Sequence, residues 1–144
     1  VVGSSLILEN RKLGDDNIAE LSNLEVLLEV ISLDLGENNI SDSGLHTLVN
    51  SPYIKNLKTL NLKSNNITEE GAKFIAESSK LKDLEHLILK FNRIGEAGAN
   101  YLAQSETLTN LRTLDLFRNR IGDAGIKVIK KSKNFRGVSR MRLD

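Results

Sequence analysis

The chain has no cysteine and no tryptophan, and aromatic residues make up 4% of its 144 positions. The lack of cysteine excludes a disulfide scaffold, a thiolate metal site and a cysteine nucleophile. It also fits a reducing compartment, so the expected setting is cytoplasmic or otherwise intracellular, which would include an effector delivered into a host cell. With so few aromatics the core must be aliphatic. No apolar run is long enough to span a membrane, and "VVGSSLILEN" lacks the features of a signal peptide. The first residue is Val rather than Met, which suggests a piece of a longer chain or a processed form.

What is present is the composition of one globular domain, residues 1–144, with 40% hydrophobic and 27% charged residues. The net charge of +1 is small, but it is unevenly spread. Residues 1–30 carry six acids against Arg11 and Lys12, a net of −4, whereas residues 126–144 carry seven cations against Asp144, a net of +6. The molecule is polarised from end to end.

The dominant signal is a repeat with an offset of 27. Leu6, Leu33, Leu60, Leu87, Leu114 and Met141 form one column, and Leu8, Leu35, Leu62, Leu89, Leu116 and Leu143 a second. Asn38, Asn65, Asn92 and Asn119 form a third, followed by Leu13, Ile40, Ile67, Ile94 and Ile121. Gly44, Gly71, Gly98 and Gly125 recur further on. Five periods without insertion or deletion indicate a solenoid with repeats 6–32, 33–59, 60–86, 87–113 and 114–140 and a final strand at 141–143. The L-x-L alternation predicts a short strand with one buried face. Apolar residues at helical spacing, such as Ala72, Ile75 and Ala76, predict a helix in the second half of each unit. Stacked units then form a parallel sheet on one side and a row of helices on the other. A single unit has no neighbour to cover its apolar face, so stability depends on stacking.

The L-x-L-x-x-N-x-I pattern resembles the leucine-rich repeat family, over about residues 6–143. The period, the Gly column and the helical second half are similar to its ribonuclease-inhibitor-like class. The resemblance implies an α/β fold: a right-handed, curved solenoid of about five 27-residue repeats, with a parallel β-sheet on the concave face and helices on the convex face.

Several polar columns look functional, and each has a structural reading. Asn38, Asn65, Asn92 and Asn119 sit where the chain leaves each strand, and one amide can satisfy backbone groups of two units. Arg11 in that column suggests that unit one is a cap. The acids Asp15, Asp42, Glu69, Glu96 and Asp123 follow Gly14, Ser41, Thr68, Gly95 and Gly122, all residue types that start helices. The Gly column predicts close approach of a helix to a neighbouring backbone. Asn39-Ile40-Ser41 and Asn66-Ile67-Thr68 match a glycosylation sequon, but both arise from the repeat itself. His46 and His86 lie in different columns without metal-site or triad spacing. No catalytic, metal-binding or cofactor-binding constellation is present, and no enzyme activity or cofactor is expected.

The outward columns vary from unit to unit. In this family the exposed sheet is the usual binding surface. Units three to five and the last strand bring His86, Ile88, Lys90, Phe91, Asp115, Phe117, Arg118, Arg140 and Arg142 to that face, as the expected partner-binding residues. Aromatic and Arg residues are enriched in interface hot spots. The expected function is a non-catalytic protein–protein interaction module of unnamed partner. The alternatives are a recognition segment of a larger enzyme or secreted effector, and a structural spacer. Nucleic acid is disfavoured, because the basic C-terminal stretch divides its Lys and Arg between opposite faces. A bare strand at 141–143 leaves an edge that invites pairing, including with a second copy.

Overall fold

The computed structural model describes residues 3–144. Six parallel strands form one sheet in sequence order: β1 (Ser4–Ile7), β2 (Val30–Asp34), β3 (Thr59–Asn61), β4 (His86–Ile88), β5 (Thr113–Asp115) and β6 (Arg140–Arg142). Between them run α1 (Gly14–Ser22), α2 (Asp42–Val49), α3 (Glu69–Glu77), α4 (Gly95–Ala103) and α5 (Gly122–Lys131). Each helix packs against the next along the second layer. Short 3-10 turns at Glu25–Glu29, Ser79–Leu81 and Lys133–Phe135 lead the chain back to the sheet.

The register keeps the 27-residue columns intact. Leu33 pairs with Leu60, Leu60 with Leu87, and Leu87 with Leu114. These leucines and Leu35, Leu62, Leu89 and Leu116 are fully buried, as are Leu48, Ile75, Leu102 and Ile129 from the helices. Each such side chain contributes roughly 1.5–3 kcal/mol by leaving water. The terminal units are less covered: Leu6, Leu8, Val138 and Met141 are only partly buried. The final strand runs over Arg140–Arg142 rather than 141–143, because pairing with β5 starts opposite Thr113.

Each interior asparagine closes the unit before it. The Asn65 Oδ1 accepts the N–H groups of Asn38 (3.1 Å) and Ile40 (2.9 Å), and its Nδ2 donates to the carbonyls of Leu35 and Leu62. Asn38 does the same for Arg11, Leu13 and Leu8. A second ladder, made of serines, runs along the helix ends. The Ser51, Ser78, Ser105 and Ser132 hydroxyls donate to the carbonyls of Ser22, Val49, Ala76 and Ala103, at 2.6, 2.6, 2.6 and 2.7 Å.

Two expectations about the helix starts need correction. Ser41 and Thr68 make no capping bond to their own helices. Their backbone N–H groups donate to Asp15 (2.9 Å) and Asp42 (2.8 Å) of the unit before, and their hydroxyls bind the other oxygen of the same carboxylates. Those two acids therefore join units as well as facing a helix N-terminus. The Gly column is also crowded by side chains more than by backbone. A Cβ on Gly44 would collide with the Asp15 carboxylate, and one on Gly71 with Asp42 and Ile67.

Truncating Asn65 orphans several buried backbone groups at once, whereas truncating Ser78 orphans one. Asn65→Ala is expected to cost about 2–3 kcal/mol and Ser78→Ala about 1–2 kcal/mol. Urea denaturation measures both, and a loss below about 0.5 kcal/mol for Asn65→Ala would remove the ladder from the account of stability.

Candidate functional site

The concave face is built from the outward side chains of the strands and the residues just after them. The backbone there is unusual. The first residue of every strand-exit turn has positive φ: Asn10 (55°), Glu37 (57°), Ser64 (54°), Phe91 (60°) and Arg118 (58°). This left-handed conformation suits Asn and Gly and disfavours bulky side chains. The fold imposes it on each unit alike, whatever residue stands there.

One outward column is more committed to the fold than its variability suggests. Asp34, Asn61 and Asp115 each accept the backbone N–H two residues on, from Gly36, Lys63 and Phe117, all at 3.0 Å. Asp115 is only 9% exposed. Its carboxylate shapes the turn that presents Phe117, with Arg142 Nη1 3.9 Å from its other oxygen.

Across the first three units the Lys63 ammonium meets Glu9 Oε1 at 2.6 Å. Its stem crosses above Gly36, where an added Cβ would stand 2.9 Å from the Lys63 Cγ. The pKa of Lys63 is raised, chiefly by the hydrogen bond to Glu9. Burial works in the opposite direction, and the charges of Glu9, Asp34 and Glu37 raise it further. This pairing of residues two units apart was not anticipated from sequence.

At the other end, Phe91 and Phe117 meet edge to face, with ring centroids 5.7 Å apart. The Arg142 guanidinium lies 4.3 Å from the Phe117 ring centre and that of Arg118 lies 5.3 Å from it. Phe91 remains 47% exposed, while Phe117 is half-buried. The structure thus brings Phe91, Asp115, Phe117, Arg118 and Arg142 into one contact chain. Ile88 and Lys90 lie half-buried on and just after β4, and His86 Nδ1 is bonded to Thr113 Oγ1 at 2.9 Å. Arg140 is exposed on β6, in register with Thr113. Lys127, Lys130 and Lys131 lie on α5, in the other layer from the arginines of β6.

Among the described residues, no group of three or more His, Cys, Asp or Glu side chains is placed to hold a metal ion. No described helix is long and apolar enough to cross a membrane. A groove of about 420 Å³ on the helix side, lined by Tyr101, Gln104 and Thr107 among others, contains none of the expected contact residues.

The repeated strand–helix unit with its asparagine ladder defines a leucine-rich repeat solenoid. The chain belongs to the Leucine Rich repeat family, whose pattern matches residues 30–49, 53–76, 80–103 and 107–130, well over half of the sequence. Among solved structures, 41 chains match. One is an internalin (inlF) from Listeria monocytogenes str. 4b F2365, with a TM-score of 0.56 and 22% identity. The alignment covers 97% of this chain and 38% of that one, so this chain spans well under half its length. At that identity the likeness concerns the fold. No curated protein matches the chain.

A raised lysine pKa means that the charged form is favoured by folding. The contribution is complete below the ordinary lysine value of about 10.4 and is lost as pH rises through the higher folded value. In NMR titration, Lys63 Nζ is expected to titrate above that ordinary value and to return toward it in Glu9→Gln. Gly36→Val should have the same effect by pushing the lysine stem off its path. If the titration is unchanged in both variants, the pairing across Gly36 does not hold in solution.

Proposed function

We propose that this chain is a non-catalytic protein-binding module that holds its partner on the concave sheet face, across units four and five and the last strand. Phe91 is the observation that carries the reading. A non-glycine residue in the left-handed region costs roughly 1–2 kcal/mol. Its edge-to-face contact with Phe117 returns about 0.5–1.5 kcal/mol. Phe91 therefore adds little net stability while leaving nearly half its surface in water. An exposed aromatic beside Arg118 and Arg142 has the composition of an interface hot spot. Exposed apolar surface rimmed by polar groups is typical of a contact site.

Membership of the leucine-rich repeat family agrees with a binding scaffold. A regular helix in each of the five units supports the ribonuclease-inhibitor-like class within that family. The inward columns are occupied in building the solenoid, so the outward columns are the surface free to differ between proteins of this fold.

The reading separates stability from binding. Phe91→Gly relieves the backbone strain and loses the ring contact, so unfolding free energy should change by less than about 1 kcal/mol. Proteins captured by the wild-type chain should nevertheless be lost from Phe91→Gly and from Phe91→Ala/Phe117→Ala, and kept by Lys127→Ala on α5. A double variant that retains every wild-type partner would defeat the concave-face assignment.

A further inference from the structure

We propose that the occupant of this face is a short acidic polypeptide segment in which a bulky apolar side chain adjoins its carboxylates. The apolar group sits against Phe91 and the carboxylates against Arg118 and Arg142. The inference rests on the concave-face reading above and adds to it the chemistry of the partner.

The first argument is charge. Three cations elsewhere beside the sheet have a carboxylate of their own: Lys63 has Glu9 at 2.6 Å, while Lys58 and Arg112 share Glu85 at 3.4 and 3.8 Å. Around Phe91 and Phe117 this balance is missing. Lys90, Arg118 and Arg140 have no carboxylate within 4 Å among the described residues. Arg142 has only Asp115, at 3.9 Å, and that buried carboxylate already accepts the Phe117 N–H. Uncompensated positive charge is thus gathered at one end of the face, and guanidinium groups pair carboxylates in bidentate fashion.

The second argument is geometry. The Phe91 ring and the guanidinium groups of Arg118 and Arg142 all lie against the Phe117 ring, which places each guanidinium within roughly 10 Å of Phe91, two strand spacings of about 4.8 Å. An extended segment covers that distance with about three residues, at roughly 3.3 Å each. A partner crossing the strands can therefore place an apolar side chain with carboxylates adjoining it.

The third argument separates polypeptide from nucleic acid. Single-stranded nucleic acids stack their bases on open aromatic faces. Here the guanidinium groups of Arg142 and Arg118 lie 4.3 and 5.3 Å from the centre of the Phe117 ring. Phe91 meets that ring edge to face, so Phe117 is occupied as a stacking platform. The same guanidinium groups, held by the ring, are positioned to receive a carboxylate.

Fluorescence anisotropy on the full chain tests this with four labelled probes. These are a short peptide with one Phe followed by three Glu, its Gln counterpart, its Phe-to-Ala counterpart and a single-stranded RNA of similar length. The acidic peptide should bind about tenfold or more tighter than the Gln peptide. That preference should be lost in Arg118→Gln/Arg142→Gln, weaken on raising salt from about 0.05 to about 0.5 M, and survive Lys127→Gln/Lys130→Gln on α5. The Phe-to-Ala peptide and the Phe91→Gly protein should each weaken binding several-fold.

Equal affinity for the acidic and Gln peptides overturns the proposal, and so does tighter binding of RNA. If partner capture still depends on Phe91 and Phe117, such a result leaves the concave-face reading standing and removes only the acidic specificity. If the acidic peptide binds but is displaced by the α5 variants, the site lies on the helices and both readings fall. Circular dichroism of each variant checks that the fold is intact.

Discussion

Everything in this solenoid depends on the asparagine amide at each strand exit. There the backbone leaves the sheet and its N–H and C=O groups turn inward, away from both water and ladder partners. A buried group left without a partner costs about 1–3 kcal/mol. The Asn65 side chain closes two N–H groups and two carbonyls, most of them in the unit before its own. Because each amide serves its neighbour, the spacing between units has almost no freedom. One residue inserted between Leu60 and Asn65 would carry the amide off its partners or turn Leu62 out of the core. The constant spacing from strand to amide follows from this arrangement, and the serine ladder at the helix ends fixes the far side of the same units. Between the two ladders lies an aliphatic core that only has to be the right size.

Most of the fold was legible because each inward column carries one chemical type. Leu60, Leu87 and Leu114 alternate with Leu62, Leu89 and Leu116, and the structure pairs them in the register that the offset implies. The serine column was readable in the same way and was missed, since serines in a loop announce neither a strand nor a helix. The roles of Asp15 and Asp42 were only half legible. Their position before a helix can be read locally, whereas their bonds to Ser41 and Thr68 join residues 26 apart. For the candidate site, sequence gave the outward residues but not their standing. Asp115 looked exposed, and only the turn geometry shows its carboxylate folded onto the Phe117 N–H. The Lys63–Glu9 contact was hidden because it depends on a third residue, Gly36, having no side chain.

The conformation of Phe91 shows how scaffold and surface interact. Nothing local in "LKFNRI" asks for positive φ, and phenylalanine resists it. The turn is left-handed at Asn10, Glu37, Ser64 and Arg118 as well, so the shared column imposes it and Phe91 accepts it. The consequence is directional. A left-handed residue aims its side chain away from the ordinary strand face, and Phe91 projects toward Phe117 rather than down onto the sheet.

In a solenoid, order along the sequence becomes order in space, so the charge asymmetry of the sequence becomes a gradient across the concave face. Glu9, Asp34 and Glu37 surround Lys63 in the first three units, and Lys90, Arg118, Arg140 and Arg142 outnumber Asp115 and Asp144 in the rest. Six strands at about 4.8 Å place Glu9 beside the first strand roughly 24 Å from Arg142 on the last, about three screening lengths at physiological salt. The two ends are therefore felt as separate fields of opposite sign rather than as a cancelled sum. The near-zero net charge hides this, because it averages over the direction in which the stack places the charges. A charged chain approaching the face meets attraction at one end and repulsion at the other, which orients it before contact.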